Sequence, residues 1–295
     1  MLAREGGGLR VLFDGRERDA VLRGKAKRLA DRAVAGDRVR IDPATVDDAV
    51  VGIDGVEPRH SLLARRIPGG RGTRAVVANV DQVVVVTATV SPAPLLQLID
   101  RLLVVAEAND IPPAVVINKV DLQPPDAVVS HLRAAGYTLV TTSTRTGTGI
   151  DALRELLAGK ESVLTGASGV GKSSLLDALE PGLGLRVGEI SAKVMRGTQT
   201  TVAAALVPIP AGGFVADTPG FSDVGVWEID PRQLPQCFPE FSAVAESCRF
   251  TDCSHRSEPG CAVRRGVDDG RIPVGRYESY VAIRAELEAL PRDWE

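Results

Sequence analysis

Aromatic residues make up only 4% of this 295-residue sequence: two Trp, three Tyr and six Phe. With so few ring faces, recognition of nucleic acid by base stacking is disfavoured, and any RNA contact would run through shape or backbone. Histidine occurs three times and cysteine four, the cysteines at positions 237, 248, 253 and 261, all in the last quarter. A secreted disulfide scaffold would be shorter and denser in cysteine. Long apolar runs are missing too. Stretches such as Val83 to Val86 fall far short of the roughly 20 residues a membrane span needs. The opening MLAREGGGLR lacks the apolar core of a secretory signal. A cytoplasmic protein with no membrane partner is the expectation. What is present is ordinary globular usage, 44% hydrophobic and 25% charged, in a chain long enough to bury a sizeable core.

The net charge of −3 hides an asymmetry. Residues 1–74 hold 16 Lys and Arg against 11 Asp and Glu, a surplus of +5, which leaves −8 on the remainder. A basic N-terminal part joined to an acidic remainder reads as a binding module on another kind of domain. Within 1–74, short β-like runs (RVLF, DAVLRG, DRVRI, AVVGI) are punctuated by Gly and Asp, which suits a small OB-fold-like β-barrel. The segment PGGRGT, Pro68 to Thr73, reads as a linker. From Val76 apolar strands alternate with amphipathic helices, the pattern of parallel βαβ units. After Asp230 the texture turns to Pro, Cys and turn residues. A final helix follows, with Tyr280, Ile283, Leu287 and Leu290 on one face.

The segment GASGVGKS matches the phosphate-binding P-loop pattern: Gly166, Ala167, Ser168, Gly169, Val170, Gly171, Lys172 and Ser173, with Ser174 next in the helix. It follows a short strand and opens an amphipathic helix, the context such a loop requires. The glycines let backbone N–H groups approach phosphate oxygens, and the helix N-terminus adds partial positive charge. Lys172 brings a full charge to the outer phosphates and the Ser173 hydroxyl can ligate magnesium. NKVD, containing Asn118, Lys119 and Asp121, ends a buried strand, where ligands of α/β sheets bind. A carboxylate at Asp121 can accept from guanine N1–H and its exocyclic amine together, a donor pair adenine lacks, which favours GTP over ATP. DTPG, from Asp217 to Gly220, ends another apolar strand; Asp217 would hold magnesium through water and the Gly220 N–H would sense the γ-phosphate.

The order of these segments is unusual. In most GTPases the phosphate loop precedes the guanine-reading segment; here NKVD and TTSTRTG come first and DTPG follows, so the domain is circularly permuted with the usual termini joined near Gly159. Near the C-terminus, Cys248, Cys253, His255 and Cys261 form C-x4-C-x-H-x5-C. Three thiolates and an imidazole suit a closed tetrahedral zinc site of structural type. A disulfide or unpaired cysteines fit this setting less well. Cys237 is a candidate replacement for His255, but lies well upstream of a complete set and reads as a buried free thiol.

With these motifs in place, nearly the whole chain resembles the bacterial circularly permuted, small-ribosomal-subunit-dependent GTPases. The resemblance implies an OB-like barrel at residues 1–74, a circularly permuted GTPase domain at 75–230 and a zinc-binding module at 231–295. It also implies GTP hydrolysis to GDP stimulated by the small (30S) ribosomal subunit during its late maturation. It places Ser143 and Thr144 in the base-contacting loop and Arg196 to Thr201 in the first switch, with Thr200 closing on magnesium and the γ-phosphate. The family usually carries a His just before the switch threonines; this chain has Gln199 there, and Phe221 after Gly220. A Phe cannot orient water, whereas a Gln can, so Gln199 is the candidate for positioning the attacking water. The alternative is a GTP-regulated RNA- or ribosome-binding protein with little catalysis.

Partners expected beside GTP, GDP and the subunit's rRNA are neither DNA nor membrane, and the chain is expected to be a monomer. Arg249, Arg256, Arg264, Arg265, Arg271 and Arg276 around the cysteines, with Arg23, Lys25, Lys27, Arg28, Arg65 and Arg66 in the barrel, are candidates for rRNA phosphates. A merely solvated surface stays open as the other reading. His60 and His131 show no partner pattern, and His131 reads as a surface residue of a helix.

Overall fold

The computed structural model describes residues 1–5, 8–24, 26, 33–66, 73–196, 204–217 and 229–289. In chain order the elements are β1 (Ala3–Glu5), β2 (Gly8–Phe13), β3 (Arg16–Leu22), β4 (Val39–Ile41), β5 (Val50–Val56), β6 (Leu62–Arg66), β7 (Thr73–Ala78) and β8 (Gln82–Ala88). There follow α1 (Leu96–Ala108), β9 (Pro113–Asn118), α2 (Asp126–Leu132), β10 (Thr138–Thr141), α3 (Ile150–Leu157) and β11 (Lys160–Thr165). The rest are α4 (Lys172–Leu179), α5 (Leu183–Arg196), β12 (Ala205–Pro208), β13 (Gly213–Asp217), α6 (Pro239–Ala245), α7 (Ala262–Asp268) and α8 (Val274–Ala289).

These elements fall into two compact units. One holds Met1–Val83, Ile150–Thr165 and Lys172–Phe221; the other holds Val84–Gly149, Gly166–Gly171 and Ser222–Glu295.

In the first unit, a half-barrel sheet runs in the order β1-β2-β3-β5-β4, antiparallel except for the parallel β3/β5 pair. Alternation along β2 puts Leu9 and Val11 inward, where they meet Ala20, Val51 and Ile53 in one apolar core. A separate antiparallel pair, β6/β7, follows. The segment PGGRGT, expected as a linker, thus lies between two paired strands, and its residues 68–72 are outside the described ones. The same unit places β13 between β11, parallel to it, and β12, antiparallel to it. Helix α3 buries Ile150, Leu153 and Leu157, spaced three and four apart along one stripe. The Leu206 N–H donates to Leu2 O at 2.9 Å, which ties β12 to the N-terminal segment.

In the second unit β9 and β10 pair in parallel, with β8 beside β9. The run QVVVVTA is buried along its whole length, as β-branched residues in a strand covered on both faces should be. Helices α6, α7 and α8 complete this unit. On α8, Arg276, Ser279, Tyr280, Ile283 and Leu287 form the buried stripe, and Phe238, Phe241 and Tyr280 pack ring against ring at 5.0–5.4 Å. Leu290, expected on the same face, lies outside the described residues.

Candidate active site and metal centre

The loop Gly166–Gly171 leaves the end of β11 and enters α4, and its backbone approach depends on glycine. Gly166 has φ +142°, and a Cβ there would sit 2.0 Å from Val86 O. Gly171 has φ +99°, and a Cβ would fall 2.4 Å from Asn118 Nδ2. Both positions combine positive φ with a close neighbour, so a side chain at either strains the loop. Ser168 and Gly169 are exposed, while Val170 is buried and anchors the loop. Lys172, Ser173 and Ser174 open α4, the two serines exposed.

Asn118, at the end of β9, ties this loop to the guanine-reading segment. Its Nδ2 donates to Val170 O at 3.0 Å, and its Oδ1 accepts from Thr142 Oγ1 at 3.2 Å. Lys119 stands at φ +63° and its Nζ donates to Gly169 O at 2.8 Å and to Ser91 O. Thr89 supports the turn by donating from Oγ1 to Lys119 O at 2.8 Å. Asp121 is exposed, free of the buried network that holds its neighbours. Ser143 is fully buried and accepts on Oγ from Thr146 N at 3.2 Å, while Thr144 next to it is exposed. The second unit thus brings Asn118 and Lys119 against Gly169, Val170 and Gly171. Asp217 closes β13, but its side chain, and the whole of Gln199, Thr200 and Gly220, lie outside the described residues.

Cys248, Cys253, His255 and Cys261 converge, with their donor atoms all within 4.8 Å of one another. The Sγ atoms of Cys248 and Cys261 each lie 3.6 Å from His255 Nδ1. A tetrahedral ion with about 2.3 Å to sulfur and about 2.0–2.1 Å to nitrogen needs an S···N edge of about 3.6 Å, so the cluster could hold a metal ion. Backbone N–H groups point at the sulfurs, Ala262 N at 3.2 Å from Cys248 Sγ and Arg264 N at 3.5 Å from Cys261 Sγ. Burial and the neighbouring thiols push Cys253 up to about 12, so a thiolate there calls for a cation. Burial also lowers His255, which keeps its imidazole neutral, as a ligand must be. Cys237 is buried apart from the cluster, with Sγ 3.9 Å from Gln233 O.

The model of the RsgA GTPase family matches residues 56–227. The chain belongs to the RsgA GTPase family. It is therefore a GTPase, a hydrolase acting on GTP. The small ribosomal subunit biogenesis GTPase RsgA of Gemmatimonas aurantiaca is 49% identical over 280 residues, 92% of this chain and 91% of its own length. The RsgA of Moorella thermoacetica is 42% identical over 100% of this chain and 98% of its own. Among solved structures, YjeQ from Thermotoga maritima aligns with TM-score 0.81 at 35% identity over 98% of both chains. YloQ, a circularly permuted GTPase, aligns with TM-score 0.76 at 28% identity, over 99% of this chain and 95% of its own. This RsgA GTPase shares that permuted α/β fold. Among its described residues no helix is long and apolar enough to cross a membrane.

Two residues of this RsgA GTPase stand elsewhere than expected. His131 is buried, 6% exposed, with Nε2 2.8 Å from Asp100 Oδ2. Arg276, counted among the candidate RNA contacts, is fully buried: Nη1 donates to Asp100 Oδ1 at 2.7 Å, and Nε and Nη2 donate to the Glu240 carboxylate at 2.6 and 3.0 Å. An Arg at zero exposure must be paired, and it is therefore unavailable to phosphate. Arg249, Arg256, Arg264, Arg265 and Arg271 are exposed, although Arg256 pairs with Glu288 and Arg271 with Asp269. Arg23 is exposed; Lys25, Lys27 and Arg28, and the side chains of Arg65 and Arg66, lie outside the described residues.

Glu258 is a supporting residue that no sequence pattern singles out. Its carboxylate accepts from the N–H groups of Ser254, Arg256 and Ser257 at 2.8, 3.1 and 3.1 Å. Partial burial opposes its charge, but those hydrogen bonds prevail and hold it down to about 2. It thereby shapes the turn that carries His255.

Proposed function

We infer that this GTPase acts in the cytoplasm in late maturation of the small (30S) ribosomal subunit, binding the subunit with GTP and leaving after hydrolysis. The full-length likeness to small ribosomal subunit biogenesis GTPases supports the destination. The observation that carries the chemistry is the Asn118 bond to Val170 O, which joins the base-reading strand to the phosphate loop. In this reading Asp121 accepts from the guanine edge and Ser143 and Thr144 border the base. The N–H groups of Gly166 to Gly171, aided by Ser174 and the α4 N-terminus, take the phosphates, and Lys172 meets the outer ones. Ser173 and Thr200 would hold magnesium directly and Asp217 through water; when bound, the ion neutralises charge that develops on the phosphates. Gly220 senses the γ-phosphate and Gln199 orients the attacking water. Zinc suits the Cys3His cluster as a structural ion. The division of labour is three domains, a barrel at 1–74, the permuted GTPase at 75–230 and the zinc module at 231–295.

Hydrolysis is slow alone, because Phe221 stands where a water-orienting glutamine would follow Gly220, and rises when the subunit orders the switch. Gln199, standing where the family usually carries a His, prompts the second reading, a GTP-regulated subunit-binding protein with little turnover. GTP turnover with and without purified small subunits separates the two. Co-sedimentation with subunits in the GTP-analogue state and not with GDP supports the destination; equal or absent co-sedimentation overturns it.

A further inference from the structure

Helix α1 has two engaged faces, both within the second unit. On one, Leu98, Ile99 and Leu102 line a small cavity together with Gly166, Ala167 and Val170 of the phosphate loop. On the other, Asp100 is held by Arg276 of α8 and by His131 of α2, each partner of this set being buried. Arg101 adds a half-buried pair with Glu286 of α8. Helix α8 in turn grips the cysteine-bearing loop: Tyr280 OH donates to Ser254 O at 2.7 Å and Tyr277 OH to His255 O at 2.9 Å. The Tyr280 ring lies 6.3 Å from the His255 ring.

A buried ion pair has no slack, because a shift that parts the charges leaves both unsolvated. The contacts of Asp100 with Arg276 and His131 are direct and buried, so a displacement of α1 is passed on to α8 and α2. Helix α1 therefore cannot move on the phosphate loop without moving α8, nor α8 without moving the loop that carries His255. We propose that α1, through Asp100 and Arg276, couples the phosphate loop to the Cys3His loop, so that GDP at the one and zinc at the other tighten each other's binding. This rests on the functional reading above, which puts nucleotide and zinc at those two loops. Linkage then requires the same factor in both directions.

The test uses the full chain loaded with zinc. Zinc occupancy is titrated against a competing chromogenic chelator with and without saturating GDP, and GDP affinity is measured with a fluorescent analogue before and after zinc removal. The expected result is a coupling of about 5-fold or more in each direction, collapsing to 1 in Asp100→Asn. That variant leaves Arg276 paired with Glu240, and its fold is checked by circular dichroism. Should it not fold, Tyr280→Phe, which removes the hydroxyl that donates to Ser254 O and accepts from Arg284 Nη1, is expected to lower the coupling instead. A wild-type protein that binds both GDP and zinc without linkage overturns the inference, as does undiminished coupling in the folded variant. A wild-type protein that binds neither ligand overturns the functional reading itself.

Discussion

Replacing Gly171 by Ala tests the phosphate loop where its geometry is tightest. At φ +99° an L-residue is strained by about 1–3 kcal/mol. The added Cβ would lie 2.4 Å from Asn118 Nδ2, so Asn118 must give way and lose its 3.0 Å bond to Val170 O. Leaving these buried polar groups unpaired costs about 1–3 kcal/mol more. In the free protein the loop relaxes and much of this is avoided. A bound nucleotide demands the strained shape, so the cost falls on affinity. At least about 2 kcal/mol is expected, which at 1.4 kcal/mol per decade is about 30-fold weaker GDP binding. The assay is titration with a fluorescent GDP analogue, beside thermal denaturation without nucleotide to establish that the variant is folded. In the same background Asn118→Ala removes the clash and should cost less than the two single changes added together. Affinity within threefold of wild type in folded Gly171→Ala would refute the reasoning.

Burial, then the nearby Asp81, pushes Glu161 up to about 7 against Met1 and Arg38, and its Oε2 is buried without a partner. Because the folded protein holds this proton more tightly than the unfolded chain, the contribution to stability is full below about pH 4.5 and is lost as pH rises through 7. Glu161→Gln should flatten that slope and raise stability at pH 8 by about 1 kcal/mol after allowance for solvent screening; an unchanged denaturation profile across pH 5–8 would count against it. Arg276→Met leaves the Asp100 and Glu240 carboxylates buried together, and a loss of about 3–5 kcal/mol is expected in denaturant unfolding; wild-type stability would show that the pair is dispensable. Glu258→Gln replaces an acceptor-only carboxylate that holds three N–H groups, so zinc should be lost to a chelator several-fold faster, and an unaltered rate would remove Glu258 from the turn's support.

What could be read from the residues alone was whatever depends on short spacing. The phosphate loop, the NKVD strand end and the cysteine cluster each lie within a dozen or so residues, and backbone geometry dictates their residue types. The half-barrel strands and the alternation of β8 to β11 were legible for the same reason, since periodicity is local. His131 and Arg276 were not. Their helices give the right period, but the partner that buries both is Asp100, 31 residues from one and 176 from the other. A charged residue on a helix reads as solvated until such a partner is known. The β6/β7 pairing escaped because PGGRGT carries the same turn chemistry whether it separates domains or joins strands. Glu258 acts on backbone N–H groups, which leave no signature in composition.

The long reach of Arg276 bears on how the chain is made. Synthesis at about 5–20 residues per second separates Asp100 from an arginine 176 residues later by roughly 9–35 s. Throughout that interval α1 has a carboxylate with no guanidinium to meet it, so burying that face early is opposed by desolvation. The half-barrel belongs to the unit that ends at Phe221 and is tied to β12 by the Leu206 bond to Leu2, so it can be completed before α8 is made. The unit that carries the phosphate loop must instead wait for the last helix to leave the ribosome. A truncation that spares every nucleotide-contacting residue but ends before α8 would then fail as a folding problem rather than a catalytic one.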